Sequence, residues 1–453
     1  MKLRIIILIV LIAFNLKVKA QNVNISNKNL PIGVFDSGTG GLTVLEAMLQ
    51  LDAYNNTTGL PGADGKPDFS SEFFEYLADQ ANMPYGNYAA EKKTDLLKEH
   101  IFKNMQFLLQ SNNVKQSTKM IVLACNTATA YALSDIKAKF KAENIQVPVI
   151  GVIDAGSKAA LAYQAKAGAG TIGVFATAGT VASEGYPRTL QAMAKENGLP
   201  VLSVVSQGGA GLAESIDRDW SYFVDTLKQA RKEYKGPSLK NTLYGIDTTL
   251  LSAYKFDQSS NKLLCEYDDK GSCLDMQLND PANYVRYHLV SLLEKMVKQD
   301  VKTPMNTLIL GCTHYPYMRD TIAKVLNELY DYKKDNKYRY RNYLAKHVEL
   351  IDPSVETAKE AYLALREKQL TNTAAVQQNR FFITIPNNNL SEAKLQPDGW
   401  FTYGYKYGRN AGEKKDYVQY VPFDHKNISD ASYERFKLVL PSAYAEISKT
   451  LKQ

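Results

Sequence analysis

Five stretches of the chain share one pattern: a short continuous apolar run, a turn of small or polar residues, and helical periodicity nearby. The runs are 31–35 before Asp36, 120–124 before Cys125, 147–153 before Asp154, 171–175 before Ala176 and 307–310 before Gly311. Runs of this length without alternation mark strands covered on both faces. Helical stretches lie between them at 94–109, 128–141, 181–196, 281–298 and 318–329. Such alternation predicts an α/β protein with parallel sheets, whose ligand crevice lies at the carboxyl ends of the strands. The polar residues that end the apolar runs are therefore expected to converge.

Other segments break the pattern. Residues 52–70 are rich in Asn, Gly, Pro and Asp and read as a long loop; 218–280 is polar and Tyr- and Lys-rich; 330–343 is charged. Beyond about residue 375, the segments 381–385, 399–407 and 417–421 read as strands, and 431–450 reads as a helix interrupted at Pro441. This tail is expected to pack on the core as an appended element.

The first twenty residues stand apart. Lys2 and Arg4 precede an apolar run over 5–16, broken only by Asn15, and Val18-Lys19-Ala20 offers a small-residue cut site before Gln21. These features read as a secretory signal peptide over 1–20. The run is too short for a comfortable membrane span, so no stable span is expected after cleavage. The expected location is exported, periplasmic or extracellular.

A chain of 453 residues exceeds one core and implies two domains. Hydrophobic content of 45% and charged content of 22% fit an ordinary globular protein. The formal charge of +7 falls to about +3 once Lys2, Arg4, Lys17 and Lys19 leave with the signal. That charge, with no dense basic stripe, gives no basis for a nucleic-acid partner.

Four cysteines remain: Cys125, Cys265, Cys273 and Cys312. Cys265 and Cys273 lie close together in a polar segment and are candidates for a small surface disulfide in an oxidising compartment. Cys125 and Cys312 each end a strand-like run. In Cys125-Asn126-Thr127-Ala128-Thr129 the sulfur meets a helix start, whose N–H groups favour thiolate. A buried inert cysteine is the alternative. In Gly311-Cys312-Thr313-His314-Tyr315-Pro316 an imidazole stands two residues from the sulfur and can stabilise a thiolate or take its proton; a structural histidine is the alternative. Two cysteines and one histidine without zinc-type spacing argue for no metal. Gly33-Val34-Phe35-Asp36-Ser37-Gly38-Thr39-Gly40-Gly41 forms a glycine-rich turn before a helix start, suited to an anionic group or to no more than a tight turn. It has neither Walker nor dinucleotide spacing.

These three segments, with Ala78-Asp79-Gln80-Ala81-Asn82-Met83-Pro84-Tyr85-Gly86 and Ile172-Gly173-Val174-Phe175-Ala176-Thr177-Ala178-Gly179-Thr180, resemble the glutamate racemase family in order and spacing, over most of 31–364. Thr-His after the second cysteine resembles glutamate rather than aspartate racemases, which typically carry Thr-Glu there. The resemblance implies two similar doubly wound parallel-sheet domains with the active site in the cleft between them. The first would span 31–152, completed by about 317–370, and the second 153–316, with an insertion at about 218–280 and an extension over 371–453. It also implies cofactor-independent racemisation of an acidic amino acid, most simply L- and D-glutamate. Cys125 would act on the D- and Cys312 on the L-enantiomer, assisted by Asp36 and His314, with Glu214 a further acid near Cys312. Ser37, Pro84, Tyr85, Gly86, Asn126, Thr127, Thr177, Thr180 and Thr313 match positions that hold the substrate. A small amino acid is the expected partner, and a homodimer is an open expectation. Family members serve peptidoglycan and cell-wall synthesis in the cytoplasm, which an exported chain departs from. A racemase for aspartate, an amino-acid-binding protein with a degenerate site and a Cys/His hydrolase stay open as alternatives.

Overall fold

The computed structural model describes residues 28–110, 118–397 and 399–451. The expected signal peptide over 1–20 lies outside the described residues. The first segment runs β1 (Ile32–Asp36), α1 (Leu42–Gln50), β2 (Phe74–Ala78), α2 (Gly86–Ala90), α3 (Thr94–Leu109), β3 (Met120–Leu123), α4 (Asn126–Ala142) and β4 (Val149–Gly151). Then follow α5 (Val152–Ala167), β5 (Thr171–Ala176), α6 (Ala178–Ala182), α7 (Gly185–Glu196), β6 (Val204–Gly208), α8 (Leu212–Ile216) and α9 (Leu251–Tyr254). The hairpin β7 (Leu263–Tyr267) and β8 (Cys273–Leu278) leads to α10 (Pro281–Lys298), β9 (Met305–Gly311), α11 (Arg319–Tyr330), the short β10 (Lys333–Lys334) and β11 (Lys337–Tyr338), β12 (Leu344–Ile351) and α12 (Pro353–Glu367). The tail comprises β13 (Arg380–Pro386), α13 (Tyr403–Gly408), β14 (Val418–Pro422), α14 (Asp430–Val439) and α15 (Pro441–Leu451).

Two sheets organise these elements. The first has the order β14-β13-β2-β1-β3-β4 and the second β12-β9-β5-β6. All pairings within them are parallel except β13 with β14. The continuous apolar runs follow from burial on both faces. In β1 and β3, Ile32, Val34, Met120 and Val122 enter one core, while Phe35, Ile121 and Leu123 enter the other. In β5 and β9, Ile172, Val174 and Ile309 pack toward α5 and α7, whereas Phe175, Leu308 and Leu310 pack toward α10 and α11. Each sheet is thus wound on both sides, and the fold is an α/β architecture with two parallel-sheet domains.

Several expectations are corrected. The run over 147–153 is strand only at Val149–Gly151; Val152 and Ile153 already begin α5. Gly151 makes the change of direction tight, since a Cβ there would sit 2.6 Å from Leu133 Cδ2. The stretch 399–407 is not a strand: Thr402 caps a short helix by accepting from the Tyr405 N–H. The segment 317–370 does not complete the first domain throughout. α11 packs on α10, β12 edges the second sheet, and only α12 turns back to lie between α1 and α5. The tail is not merely laid on the surface. β13 pairs with β2, and Phe381, Ile383, Phe423, Phe436 and Ile447 belong to the same core as Val34 and Tyr76. Cys265 and Cys273 are disulfide-bonded across β7 and β8. Among the described residues, no helix is long and apolar enough to cross a membrane.

Candidate active site

The carboxyl ends of β1, β3, β5 and β9 deliver Asp36, Cys125, Thr177 and Cys312. Cys125 is the N-cap of α4; its sulfur accepts from the Ala128 N–H at 3.4 Å and donates to Ser37 Oγ at 3.4 Å. Asp36 is buried beside it. One carboxylate oxygen accepts from the Gly38 and Gly41 N–H groups at 3.1 and 3.0 Å. Two amides of the glycine-rich turn thus serve Asp36 instead of an incoming anion, because a buried carboxylate left without donors is costly. Burial raises the Asp36 pKa, and the Gly41, Gly38 and Ser37 amides oppose that rise. Burial, reinforced by the Asp36 charge, pushes the Cys125 thiol up to about 12. The lowering expected from the helix start is therefore outweighed: desolvation penalises thiolate more than the amides reward it.

Cys312 is set differently. Its sulfur lies 3.8 Å from His314 Nδ1, and His314 Nε2 lies 3.1 Å from Asp217 Oδ2. Burial disfavours the imidazolium, but the hydrogen bonds to Asp217 and to Cys312, with their charges, raise His314 to about 10. Asp217 follows α8 and stands three residues past Glu214. Glu214, the acid expected here, sits at the exposed rim of the same helix. It faces His314 electrostatically, but the carboxylate bonded to the imidazole is that of Asp217. Asp217 carries no sequence motif; only its position at the end of a short helix near the expected acid pointed this way.

The two clusters meet across a narrow gap. A Cβ placed on Gly40 would lie 2.9 Å from Thr313 Oγ1, 3.7 Å from Asp36 Oδ2 and 3.8 Å from His314 Cε1. Gly86 and Gly179 touch backbone to backbone, a Cβ on Gly179 falling 3.0 Å from Gly86 Cα. This contact joins the Pro84-Tyr85-Gly86 turn to the Thr177–Thr180 turn. Thr177 Oγ1 donates to Thr180 Oγ1 at 3.0 Å and accepts from the Thr180 N–H at 3.3 Å. Tyr186, buried between the halves, donates to Asn126 Oδ1 at 2.9 Å and lies against Gly311. That bond occupies the Asn126 carbonyl and leaves its amide nitrogen to donate. Thr127 is in the first turn of α4, where N–H groups have no intrahelical acceptor. Asn126, Thr127, Thr177, Thr180, Ser37 and Thr313 are thus brought to one region.

Tyr85 can serve the cleft through its backbone but not through its ring. Its ring is buried and its hydroxyl donates to Asp79 Oδ2 at 2.5 Å, so the side chain faces the core instead of the cleft. Burial of a phenol requires a partner, and Asp79 supplies it. Pro84 follows a cis Met83–Pro84 bond, and its carbonyl accepts from Tyr407 of α13 at 3.2 Å.

No family model matches the chain. A glutamate racemase of Levilactobacillus brevis is 27% identical over 357 residues, covering 79% of this chain and 86% of that protein. One from Oceanobacillus iheyensis is 27% identical over 354 residues, covering 78% and 86%. A solved glutamate racemase isoform from Bacillus anthracis superposes with a TM-score of 0.47 at 24% identity, covering 79% of this chain and 89% of that one. Over most of its length, including the ordered motifs at Asp36, Cys125, Thr177 and Cys312, the chain is similar to glutamate racemases.

Proposed function

We propose that the chain is an isomerase that interconverts L- and D-glutamate by a two-base mechanism without a cofactor. One observation carries this reading. Two buried free cysteines end strands of different sheets, each with its own proton partner, and a Cβ added to Gly40 would lie within 4 Å of both partners. Inversion at a carbon acid needs a base on one face and an acid on the other, and two matched thiols exchange those roles between directions. The protonation pattern supports an assignment of roles. Cys125, pushed up to about 12, rests as a thiol ready to give a proton. The Cys312 sulfur lies 3.8 Å from His314 Nδ1, an imidazole placed to exchange a proton with it. With Cys125 as the proton donor, Cys312 is the base that acts on the L-enantiomer. In the reverse direction Asp36, raised by its burial, receives the Cys125 proton. Asn126, Thr127, Thr180 and the helix-start amides supply donors for carboxylates and for the anionic intermediate.

We further propose that the chain acts outside the cytoplasm; the signal-like pattern over 1–20 and the bonded pair Cys265 and Cys273 support this.

The test is racemisation of L- and D-glutamate and aspartate in heavy water, read as deuterium at Cα with chiral separation of the products. Glutamate is expected to invert with label incorporated. Cys125→Ala and Cys312→Ala are expected to abolish inversion, and the serine variants to slow it severely. Near-parental inversion by either alanine variant removes the two-base mechanism; no inversion of any amino acid removes the activity.

A further inference from the structure

The line of contacts that ends at Cys312 begins in the C-terminal tail. Asp217 offers one carboxylate oxygen to His314 Nε2, and its other oxygen accepts from Arg435 Nη1. The second terminal nitrogen of Arg435, Nη2, reaches Thr39 Oγ1 at 3.5 Å. Arg435 lies on α14, whose Tyr433 and Phe436 are buried in the first-sheet core and anchor the backbone that carries it. Thr39 neighbours Gly40, where an added Cβ would lie 2.9 Å from Thr313 Oγ1.

We propose that Arg435 is a positioning residue for the second cysteine: its guanidinium, held between Thr39 and Asp217, keeps the Asp217 carboxylate on His314 so that Nδ1 faces the Cys312 sulfur. Asp217 needs such help. Its side chain is 34% exposed and follows a helix of five residues, so it has freedom to swing toward water. A rim carboxylate holding a histidine alone contributes little, because screening and side-chain entropy offset the attraction. The arginine fork fixes two points at once, one on each side of the cleft, which a lysine ammonium cannot do. The titratable and charged groups facing His314 are Cys312, Asp217, Glu214, Arg435 and, across the gap, Asp36. Arg435 acts through this line and touches no reacting atom. The proposal rests on the racemase reading only for its consequence in turnover; the positioning itself is measurable without turnover.

The test uses the full chain in two backgrounds. With Cys125→Ser the free thiol is Cys312, and with Cys312→Ser it is Cys125, the other two cysteines being bonded. The rate of alkylation by iodoacetamide is followed against pH in each background, with Arg435 intact, Arg435→Ala and Arg435→Lys. Loss of the arginine frees Asp217, so His314 is no longer held with Nδ1 toward the Cys312 sulfur and gives up its proton more readily. Arg435→Ala is expected to slow Cys312 alkylation about tenfold near neutral pH. Its pH midpoint should move upward. Arg435→Lys should move it the same way by about threefold, since charge remains without the fork. Cys125 alkylation should stay unchanged. The lysine variant carries the test if the alanine variant does not fold. An unmoved Cys312 profile overturns the proposal. So does a downward midpoint, which means the guanidinium only attenuates the Asp217 charge. Equal change at both thiols also overturns it, since that marks general loss of packing. For glutamate inversion, Arg435→Ala in the otherwise intact chain should lower kcat with little change in KM. A Cys312 shift in a chain that inverts no amino acid keeps this assignment and discards the racemase reading; parental kcat in Arg435→Ala discards this assignment alone.

Discussion

Asp36 and Cys125 are buried side by side; burial raises both pKa values, and the Asp36 charge raises that of Cys125 further. Replacing Asp36 by Asn keeps the shape and removes the charge. The Cys125 pKa then falls from its raised position, so alkylation of this thiol in mildly alkaline buffer should quicken while inversion of glutamate slows. Opposite signs in the two assays identify Asp36 as the proton acceptor of the thiol; slower alkylation would contradict it. The residues at this scale that the sequence disclosed are those ending an apolar run: Asp36, Cys125 and Cys312, with His314 adjacent. Asp217, Tyr186 and Arg435 were hidden, because what gives them meaning is a partner far along the chain. Asp217 meets His314 across 97 positions and Arg435 across 218. For Tyr85 the motif was visible but not the direction of the ring, which Asp79 decides.

At the scale of elements, the tail behaves as part of the first core. Phe436 of α14 is 1% exposed and packs against Phe423. Phe436→Ala is expected to cost about 3–5 kcal/mol of stability, as for buried aromatics elsewhere. Urea denaturation monitored by circular dichroism checks it; a loss near zero would mean the tail is dispensable. β1, β3, β5 and β9 were visible in sequence because they are buried on both faces. β2 escaped notice because Glu75 interrupts its apolar residues, and that carboxylate pairs with Arg380 of β13 at 3.0 Å. β12 is an edge strand with its middle residues partly exposed, and β6 ends in polar Ser, Gln and Gly. The Tyr-rich segment of α13 has strand-like propensity, but it forms a helix capped by Thr402 and held by Tyr407 against Tyr88.

For the whole molecule, His314 joins the two domains through Asp217 and Arg435. Its pKa is raised from 6.5 to about 10 in the folded chain. The sign follows from linkage: the folded state binds the proton more tightly, so the stabilisation is complete below about pH 6.5 and is lost as pH rises through about 10. Urea midpoints measured across that window should fall for the parent and fall less for His314→Gln. Equal slopes would remove the imidazolium from the tie. The two-domain plan and the cleft were legible because strand-end polar residues must converge in parallel sheets. The tie was not, since it depends on a tail whose sequence carries no motif.

Insertion of β13 beside β2 has a consequence for biosynthesis. Asn379 accepts from the Phe74 N–H, and Thr384 accepts from the Ala81 N–H and donates to Asp79, contacts spanning some three hundred positions. Early strands must therefore wait, incomplete, until almost all of the polypeptide has been made, and closing so long a loop slows assembly.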